Sequence, residues 1–529
     1  MYRPASATFP VPASPIFFAT PQRSKSALSR RQRDGLSTPL LSNVEEQNRD
    51  LIEDEIVETE SGESQKLIRN KKELLILIAL CLSYFNAFCA FSMIAPIFPY
   101  EAKKFEMSTT LSGLVFSIYP LVVFLMSPIV GKYMPKVGVK FSLIAGGFLS
   151  GGSNILFGFL DYLYASDGED ENGNPKVKQS SYLQFVIFCF ALRTFMAIGT
   201  AFNETAAVSI MTVTFKHALS TAQGSIALFT GLGLMAGPAI GSALYQLGNN
   251  NFLLPFVVIG SLVWLVILMI AFILPPENVF HDNSEGNTEQ SNFWKVFLVP
   301  GIFMMSTVTL IAGMVISFLD PTLTPFVQKL DPELKPFFVG LIFLCAPMTY
   351  AISTPFLGRL LDKKIIKGRN ASIIGCFLGF ICYLFMAPSP LFAFIKTSHL
   401  WLTVTSLLCL GFLCLTAMFV PVLADMQITA RKAGLPMNLS TDAILSGIYT
   451  SMFYIGSIVG PALGAFLTQH LGFPKASTIF AFLLLLEGVC LLSFTLWENK
   501  YGNGARENKE EEDDDDREQW REYREPNGC

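Results

Sequence analysis

The sequence has few charges for its length and lacks the short motifs that mark most catalytic and metal sites. Lysine, arginine, aspartate and glutamate make up 15% of the 529 residues, against about 25% in soluble globular domains. There is no Walker A loop, no GxSxG, no CxxC and no cysteine–histidine cluster at ligand spacing. We therefore expect no enzyme activity, no cofactor and no metal, and the net charge of -4 suggests no nucleic-acid partner.

Histidine is also scarce, and cysteine is absent from the loops where disulfides form. The four histidines fall in loops or at helix ends, so none is placed to carry a proton through a membrane. Of the ten cysteines, nine fall in apolar runs and the last is the C-terminal residue. We expect no disulfide, because cysteines in apolar runs behave as small apolar side chains.

Apolar residues dominate instead: they make up 51% of the chain and give it a mean hydropathy of +0.45. They form twelve runs, each close to the roughly 20 residues that an α-helix needs to cross a bilayer. The sequence therefore predicts an all-α membrane protein with 12 transmembrane helices, embedded in a lipid bilayer. We number these helices 1 to 12, and their approximate ranges are 74–96, 111–130, 141–160, 182–210, 222–245, 252–274, 300–325, 337–357, 371–394, 400–424, 443–467 and 476–497.

The predicted organisation is a membrane domain between two polar tails. Residues 1–72 are rich in Pro, Ser and Arg and then acidic, which is typical of a disordered tail; an organelle transit peptide is the alternative for their basic start. Residues 63–68 fit an acidic dileucine sorting pattern, a hint of endosomal or vesicular sorting. Residues 498–529 form an acidic tail. The domain itself divides into two six-helix bundles, 73–274 and 300–497, joined by a linker, 275–299.

Basic residues in the short loops set the predicted orientation. Lys132, Lys136 and Lys140 lie between helices 2 and 3, and a larger basic cluster lies between helices 8 and 9. Because such clusters stay in the cytosol, we expect both loops, the linker and both tails to be cytosolic. The acidic loop 161–181 then faces a lumen or the exterior.

One glycine–proline pattern, GxxxGPxxG, occurs twice, in helices 5 and 11 at an offset of 223 residues. Its glycines lie on one helix face and let another backbone come close. The proline removes a backbone donor and bends the helix. We therefore expect paired helices that bend. The residues of the pattern are Gly233, Gly237, Pro238 and Gly241 in the first copy, and Gly456, Gly460, Pro461 and Gly464 in the second.

A second match supports the duplication. The segment 113–120 (GLVFSIYP) in helix 2 pairs with the segment 340–347 (GLIFLCAP) in helix 8, 227 residues later. Two six-helix halves in parallel repeat are thus predicted. Transporters with this plan bind their substrate near the membrane midplane between the halves, although a repeat alone does not establish transport.

These motifs resemble those of the major facilitator superfamily over residues 70–497. The segment from Gly358 to Asp362, followed by two lysines, is similar to the loop motif of that superfamily, and the doubled GxxxGPxxG resembles its antiporter motif. The resemblance implies the major facilitator fold and a cytosolic charge latch at Asp362. In the first half Pro135 replaces the acid, so no such latch is expected there.

Motifs in helices 4 and 7 make the resemblance more specific within the superfamily. The segment 193–199 (RTFMAIG) is similar to the superfamily's RxxQGxG, whose arginine is linked to proton coupling, and 320–323 (DPTL) resembles a segment of vesicular amine transporters. Together with 94–99 (IAPIFP) at the end of helix 1, the pattern is most like the vesicular polyamine transporter branch. Helices 1 and 10 lack the aspartates of monoamine carriers, which favours another cationic substrate.

Four charged residues fall inside predicted membrane helices, where each needs a partner, water or a function. Asp320 precedes Pro321, so we expect helix 7 to be broken there and the carboxylate to receive a cation or a proton; a lumen-exposed acid at a helix end is the alternative. Glu204 lies eleven residues, about three turns, beyond Arg193 in helix 4, so both would line one cavity, with Glu204 nearer the cytosol. We expect Glu204 to serve in coupling or substrate binding; a hydrated acid of the cytosolic vestibule is the alternative. Glu487 in helix 12 is expected to be structural.

Aromatic rings beside a carboxylate suit an ammonium ligand. Tyr119 in helix 2 and Tyr350 in helix 8 are the candidates, although a single aromatic residue is more often a packing residue. The first hypothesis is a monomeric proton-coupled antiporter that moves an organic cation, a polyamine or related amine, into the acidic lumen of a secretory, synaptic-type or endosomal vesicle. The alternatives are a carrier-like sensor or scaffold that acts through its tails, and a pH-independent uniporter of a neutral solute.

Overall fold

The computed structural model describes residues 71–169, 175–215, 219–274, 293–363, 365–387, 389, 399–435 and 439–501. Most of both predicted tails, the dileucine pattern and most of the linker lie outside these residues. Within them, 12 helices are long and apolar enough to cross a membrane. The predicted all-α membrane fold is therefore confirmed.

The helices extend beyond the predicted apolar runs at most of their ends. A 3₁₀ turn, Phe159–Leu163, extends helix 3, and a short helix, Phe293–Phe297, precedes helix 7. Two short antiparallel strands, β1 (Ser166–Glu169) and β2 (Pro175–Val177), lie between helices 3 and 4. Helices 1 to 6 comprise Lys71–Ser92 with Ile94–Lys104, Thr109–Val137, Val139–Gly158, Gln179–Thr214, Leu219–Leu247 and Leu253–Ile273. Helices 7 to 12 comprise Pro300–Leu330, Pro336–Asp362, Gly368–Met386, Leu400–Cys409 with Leu410–Leu415 and Thr416–Lys432, Leu439–Leu471 and Phe473–Tyr501.

Successive helices alternate in direction, so the connections fall on two faces of the protein. We call one the basic face, because it carries Lys132 and Lys136 in the last turns of helix 2 and Lys363 and Lys367 after helix 8. The opposite face, which carries β1 and β2, is the distal face. The described chain begins and ends at the basic face, as an even number of crossings requires.

The two halves repeat the same packing. Helix 3 packs on helix 4 and helix 9 on helix 10, while helix 5 packs along helix 1 and helix 11 along helix 7. The halves meet in two seams, one between helices 2 and 11 and the other between helices 5 and 8. This is the predicted arrangement of two six-helix halves in parallel repeat. The two seams are equivalent, because helix 2 corresponds to helix 8 and helix 11 corresponds to helix 5.

Each half has an apolar core built around stacked phenylalanines. In the first half Phe105 stacks on Phe185, which helix 4 carries. In the second half Phe318 of helix 7 stacks on Phe480 of helix 12. All four rings are fully buried, so they fix the depth and rotation of helices 4 and 7, the two helices with the most central charges.

Helix 1 is interrupted near its middle. Its two segments meet at Met93, whose backbone stays close to helical values. Pro96 follows in the first turn of the second segment, where the missing proline N–H leaves a carbonyl of the first segment without its usual donor. The interruption lies at the level where the glycines of helix 5 approach helix 1.

Helix 7 is the counterpart of helix 1, and it is not interrupted. It runs as one α-helix from Pro300 to Leu330 with two prolines inside it, so the predicted break beside Asp320 is wrong. In this turn the Thr322 hydroxyl donates a hydrogen bond to the Phe318 carbonyl at 2.6 Å. Prolines are tolerated in membrane helices when side chains and neighbouring helices supply such bonds.

Candidate functional site

The centre of the site is Arg193 in helix 4, whose side chain is 1% exposed. The guanidinium carbon lies 4.7 Å from the ring centre of Tyr119 and 5.9 Å from that of Phe91. Nη1 is 3.7 Å from the sulfur of Met196, and neither Nε nor Nη2 has a hydrogen-bond partner in the part of the chain that the structure describes. A buried cation therefore keeps two donors unused.

Asp320, in the second half, is the carboxylate that interacts electrostatically with Arg193. It is half-buried in helix 7, and the two charges attract each other across the interface between the halves. No ion pair within 4.0 Å joins them, and among the described residues no hydrogen bond to the Asp320 carboxylate is found. The carboxylate is thus attracted by Arg193 and still available to a ligand.

Glu204 lies in helix 4 nearer the basic face, and it is bonded across the halves. The Tyr454 hydroxyl of helix 11 donates to Glu204 Oε2 at 3.1 Å. The Tyr84 hydroxyl of helix 1 donates to the Glu204 main-chain oxygen at 3.3 Å. The acid is half-buried, so a second carboxylate with aromatic neighbours lines the interior about three turns from Arg193.

Of the two predicted tyrosines, the structure brings one to the arginine. The Tyr119 ring lies against Arg193, and its hydroxyl donates to Thr200 Oγ1 at 2.9 Å. Tyr350 instead packs against Phe419 of helix 10, at 6.2 Å between ring centres. Tyr350 is therefore part of the second half's own packing in this conformation, and a role in ligand binding stays a prediction.

Polar side chains continue from Tyr119 into the first half. Thr200 lies 3.3 Å from the Ser150 hydroxyl, and the Ser83 hydroxyl donates to Asn203 at 3.1 Å. These four residues line one small pocket between helices 1, 3, 4 and 6. Hydrogen bonds thus connect Tyr119, beside Arg193, with Thr200 and Ser150, and the separately bonded Ser83–Asn203 pair lines the same pocket.

Glu487, the fourth membrane acid, lies away from this centre. It accepts a hydrogen bond from the Thr307 hydroxyl of helix 7 at 2.8 Å. The bond joins helices 7 and 12 within the second half, which agrees with the structural role expected of Glu487. This acid is a useful control for the central ones.

The glycines of the doubled pattern lie against backbone in both halves. A methyl group on Gly237 would come within 2.6 Å of the Cys89 carbonyl oxygen, next to the interruption of helix 1. A methyl group on Gly456 would come within 2.7 Å of the Met314 nitrogen in helix 7, and Gly464 lies against the ring of Phe318, two residues before Asp320. The pattern therefore packs helix 11 directly beside the acid-bearing turn; its bending remains a prediction.

Both seams between the halves are tight at the distal face. A methyl group on Gly113 of helix 2 would come within 2.5 Å of the Pro461 carbonyl oxygen of helix 11, and one on Gly340 of helix 8 within 2.6 Å of that of Pro238 in helix 5. The prolines of the doubled pattern thus face the opposite half, while its glycines face their own.

Two glutamines close the same seams at the helix ends. The Gln469 side chain accepts from the Thr110 amide at 2.8 Å, and the Gln246 side chain accepts from the Phe337 amide at 3.2 Å. In each case a glutamine from one half satisfies a free amide at the start of a helix in the other half. Sequence analysis missed this pair, although its spacing, 223 residues, equals that of the doubled pattern.

The seams are loose at the basic face. A methyl group on Gly231, Gly358 or Gly447 would meet no atom within 4 Å in the described part of the chain, and one on Gly131 would meet only Thr205, at 3.8 Å. Near the basic face, therefore, no described residue of the opposite half packs against these four positions of helices 2, 5, 8 and 11. The side chain of Asp362, the predicted latch, lies outside the described residues, so its role stays a prediction.

Comparison with known proteins agrees with this architecture. The family model of the Major Facilitator Superfamily matches residues 80–441. The nucleoside transporter NupG has a similar structure, with a TM-score of 0.58 at 11% identity, over 79% of this chain and 98% of NupG; at that identity only the fold is shared.

Two curated relatives define the branch. The MFS-type transporter SLC18B1 of Rattus norvegicus is 34% identical over 83% of this chain and 90% of its own length. The chromaffin granule amine transporter of Homo sapiens is 24% identical over 49% of this chain and 44% of its own length. The chain is therefore a multi-pass membrane protein of the major facilitator superfamily, a transporter of the SLC18B1 type that is related to the vesicular amine transporters.

Proposed function

We propose that this transporter is a proton-coupled antiporter that moves an organic cation, a polyamine or related amine, from the cytosol into an acidic vesicle lumen. The observation that carries the proposal is the buried guanidinium of Arg193, with two unused donors, near an Asp320 carboxylate of the other half that it attracts without touching. Such an acid can hold one positive charge at a time, either a proton or an ammonium group.

Exchange follows from this competition. When the Asp320 carboxylate is ionised and binds no cation, its attraction to Arg193 favours a closer approach of helices 4 and 7. A proton or an ammonium group on the carboxylate cancels its negative charge, so the two helices are no longer drawn together. Each pH unit across the membrane supplies about 1.4 kcal/mol per proton, and each charge moved through 100 mV about 2.3 kcal/mol. Exchange of one proton for one ammonium charge moves no net charge, so the pH gradient alone drives uptake into an acidic vesicle. A positive interior adds to the drive where more protons leave than charges enter.

The orientation adds direction to the exchange. If the basic face is cytosolic, as the positive-inside rule predicts, the closed distal face is lumenal and the conformation described here is ready to load from the cytosol. The names of the relatives, an amine transporter of chromaffin granules among them, support an amine substrate and a vesicle membrane.

A panel of substrates in reconstituted liposomes tests the proposal. The full chain in liposomes with an acidic interior should accumulate labelled polyamines and lose that uptake when the pH gradient is collapsed. Uptake of a neutral solute that ignores pH would instead favour the uniporter. Absence of any uptake, combined with partner proteins that are lost when residues 1–65 and 505–529 are removed, would favour the sensor or scaffold.

The bond between Tyr454 and Glu204 couples the second acid to the movement of the halves. Substituting Tyr454→Phe keeps the ring and removes the bond; since a hydrogen bond to a charged group contributes about 1.5 to 3 kcal/mol, we expect at least about a tenfold change in uptake rate. The matched control is Tyr449→Phe, also in helix 11, whose hydroxyl makes no hydrogen bond to a described residue. Equal rates in the two variants would contradict this coupling.

A further inference from the structure

An open groove lies between helices 8, 9 and 10 in the part of the membrane nearer the basic face. Its walls are almost wholly apolar, and the two polar side chains in it, Ser353 and Thr416, are hydrogen-bonded to each other. Three of the apolar side chains that line it, Phe356, Ile374 and Phe412, are exposed. The groove therefore offers an apolar ligand a continuous surface with no unpaired polar group among these side chains.

An irregular turn in helix 10 supplies two residues of the groove wall, Phe412 and Leu413. Residues Leu410–Leu415 form a π-helical turn, and the Thr416 hydroxyl donates to the Gly411 carbonyl, five residues back, at 2.9 Å. Such a turn inserts an extra residue and rotates the side chains around it. Helix 4, the counterpart of helix 10, is α-helical throughout Gln179–Thr214, so the first half has no matching turn.

The end of the groove at the basic face is positively charged. Leu360 and Ile366 line that end, and their neighbours in sequence include Arg359, Lys363 and Lys367, all exposed. No carboxylate lies within 4.0 Å of these three basic groups among the side chains that the structure describes, which do not include that of Asp362 in the same turn.

The start of helix 9 adds to this charge. Helix 9 begins at Gly368, and its first turn has no side-chain cap, so its free amides favour an anion as well. By contrast Arg369, one residue further on, is already paired with Asp425 and Glu498 and is not available.

We propose that this groove binds an anionic phospholipid of the leaflet at the basic face. One acyl chain lies between helices 8, 9 and 10, and the phosphate is held by Lys363, Lys367 and the first amides of helix 9. Basic pockets between membrane helices on the cytosolic side bind anionic headgroups for this reason. The positive-inside rule accounts for the lysines alone, but not for an apolar groove that ends at them.

Native mass spectrometry of the full-length protein, with phosphatidylserine or phosphatidylcholine added to the detergent, tests the proposal. The wild type should retain phosphatidylserine in preference to phosphatidylcholine. In the double variant Lys363→Gln/Lys367→Gln, phosphatidylserine affinity should fall about thirtyfold, about 1 kcal/mol for each charge. The matched control, Lys132→Gln/Lys136→Gln, removes two charges from the end of helix 2 at the basic face and should retain the lipid.

A third variant separates the groove from the charge. Ile374, 51% exposed on helix 9, can be changed to Trp without altering any charge, and the larger side chain should fill the groove and lower retention of phosphatidylserine. Equal retention of both lipids by the wild type, or equal losses in the two double variants, would overturn the proposal. The readout is lipid binding, so it stands or falls independently of transport.

Discussion

Asp320→Asn should abolish uptake driven by a pH gradient while leaving a folded protein. The asparagine keeps the size and one acceptor of the side chain but holds neither a proton nor a full negative charge, so an ammonium ion loses its counter-charge and the exchanged proton loses its carrier. Arg193 is 1% exposed and has two nitrogens without a described hydrogen-bond partner. The other central acid, Glu204, lies about three turns away along helix 4, so it does not replace the carboxylate beside Arg193. Initial rates of labelled amine uptake into acid-loaded liposomes measure the effect.

The control for this result is Glu487→Gln, which also neutralises a carboxylate inside a membrane helix. Glutamine can still accept the hydrogen bond that Thr307 donates to Glu487 at 2.8 Å, and this acid is not at the interface between the halves. We expect uptake close to that of the wild type. Gradient-driven uptake that survives in Asp320→Asn, or is lost equally in both variants, would remove Asp320 from the mechanism.

The sequence was sufficient to predict the architecture because its signals are local and repeated. Twelve apolar runs predict twelve helices, and the spacing of Gly233, Gly237 and Gly241 places three glycines on one helix face. The same reasoning could have found Gln246 and Gln469, since they lie at the offset of the doubled pattern. A polar residue at the same place in both halves indicates a contact that both seams need.

The central contacts between the halves, unlike those of the two glutamines, were beyond sequence reasoning. Helical spacing places Glu204 and Arg193 on one face, but it does not say that Tyr454, 250 residues away, would reach that face. Nor does it distinguish Tyr119, which lies against Arg193, from Tyr350, which does not. Such pairings depend on how far the halves have rotated, which no local pattern records.

Irregular turns were the other failure. Proline at 321 suggested a break in helix 7, yet helix 7 is continuous and it is helix 1 that is interrupted. The π-turn Leu410–Leu415 contains no proline and was not predicted. In such turns, the neighbouring helices and the hydroxyl groups determine whether the regular hydrogen bonds of the helix backbone are kept.

Gly340→Val should hold the transporter open at the distal face. The added side chain would overlap the Pro238 carbonyl oxygen and Ser242 of helix 5, at a cost of about 1 to 3 kcal/mol for overpacking. The clash lies in a seam, so the halves can relieve it by separating there without unfolding. A penalty of this size on one state alone shifts the balance of the two states by about 5- to 150-fold.

A reporter in the other seam decides whether the halves move as rigid bodies. Ala465 of helix 11 is 0% exposed and packs against Gly113 of helix 2, so in an Ala465→Cys background a membrane-impermeant thiol reagent applied at the distal face should react slowly. Adding Gly340→Val should speed the reaction and lower transport, because rotation of one half opens both seams together. Gly340→Val without Ala465→Cys corrects for the native cysteines.

The matched control is Gly447→Val in helix 11, where an added methyl group would meet no atom within 4 Å in the described part of the chain. It should not speed the reaction, because it adds no clash to the seams that are closed at the distal face. If Gly340→Val slows transport while Ala465→Cys stays protected, then the seam between helices 5 and 8 adjusts locally and the halves do not rock as units. Unfolding of Gly340→Val would mean that the seam belongs to a fixed core, since a movable interface has a second state in which the clash is absent.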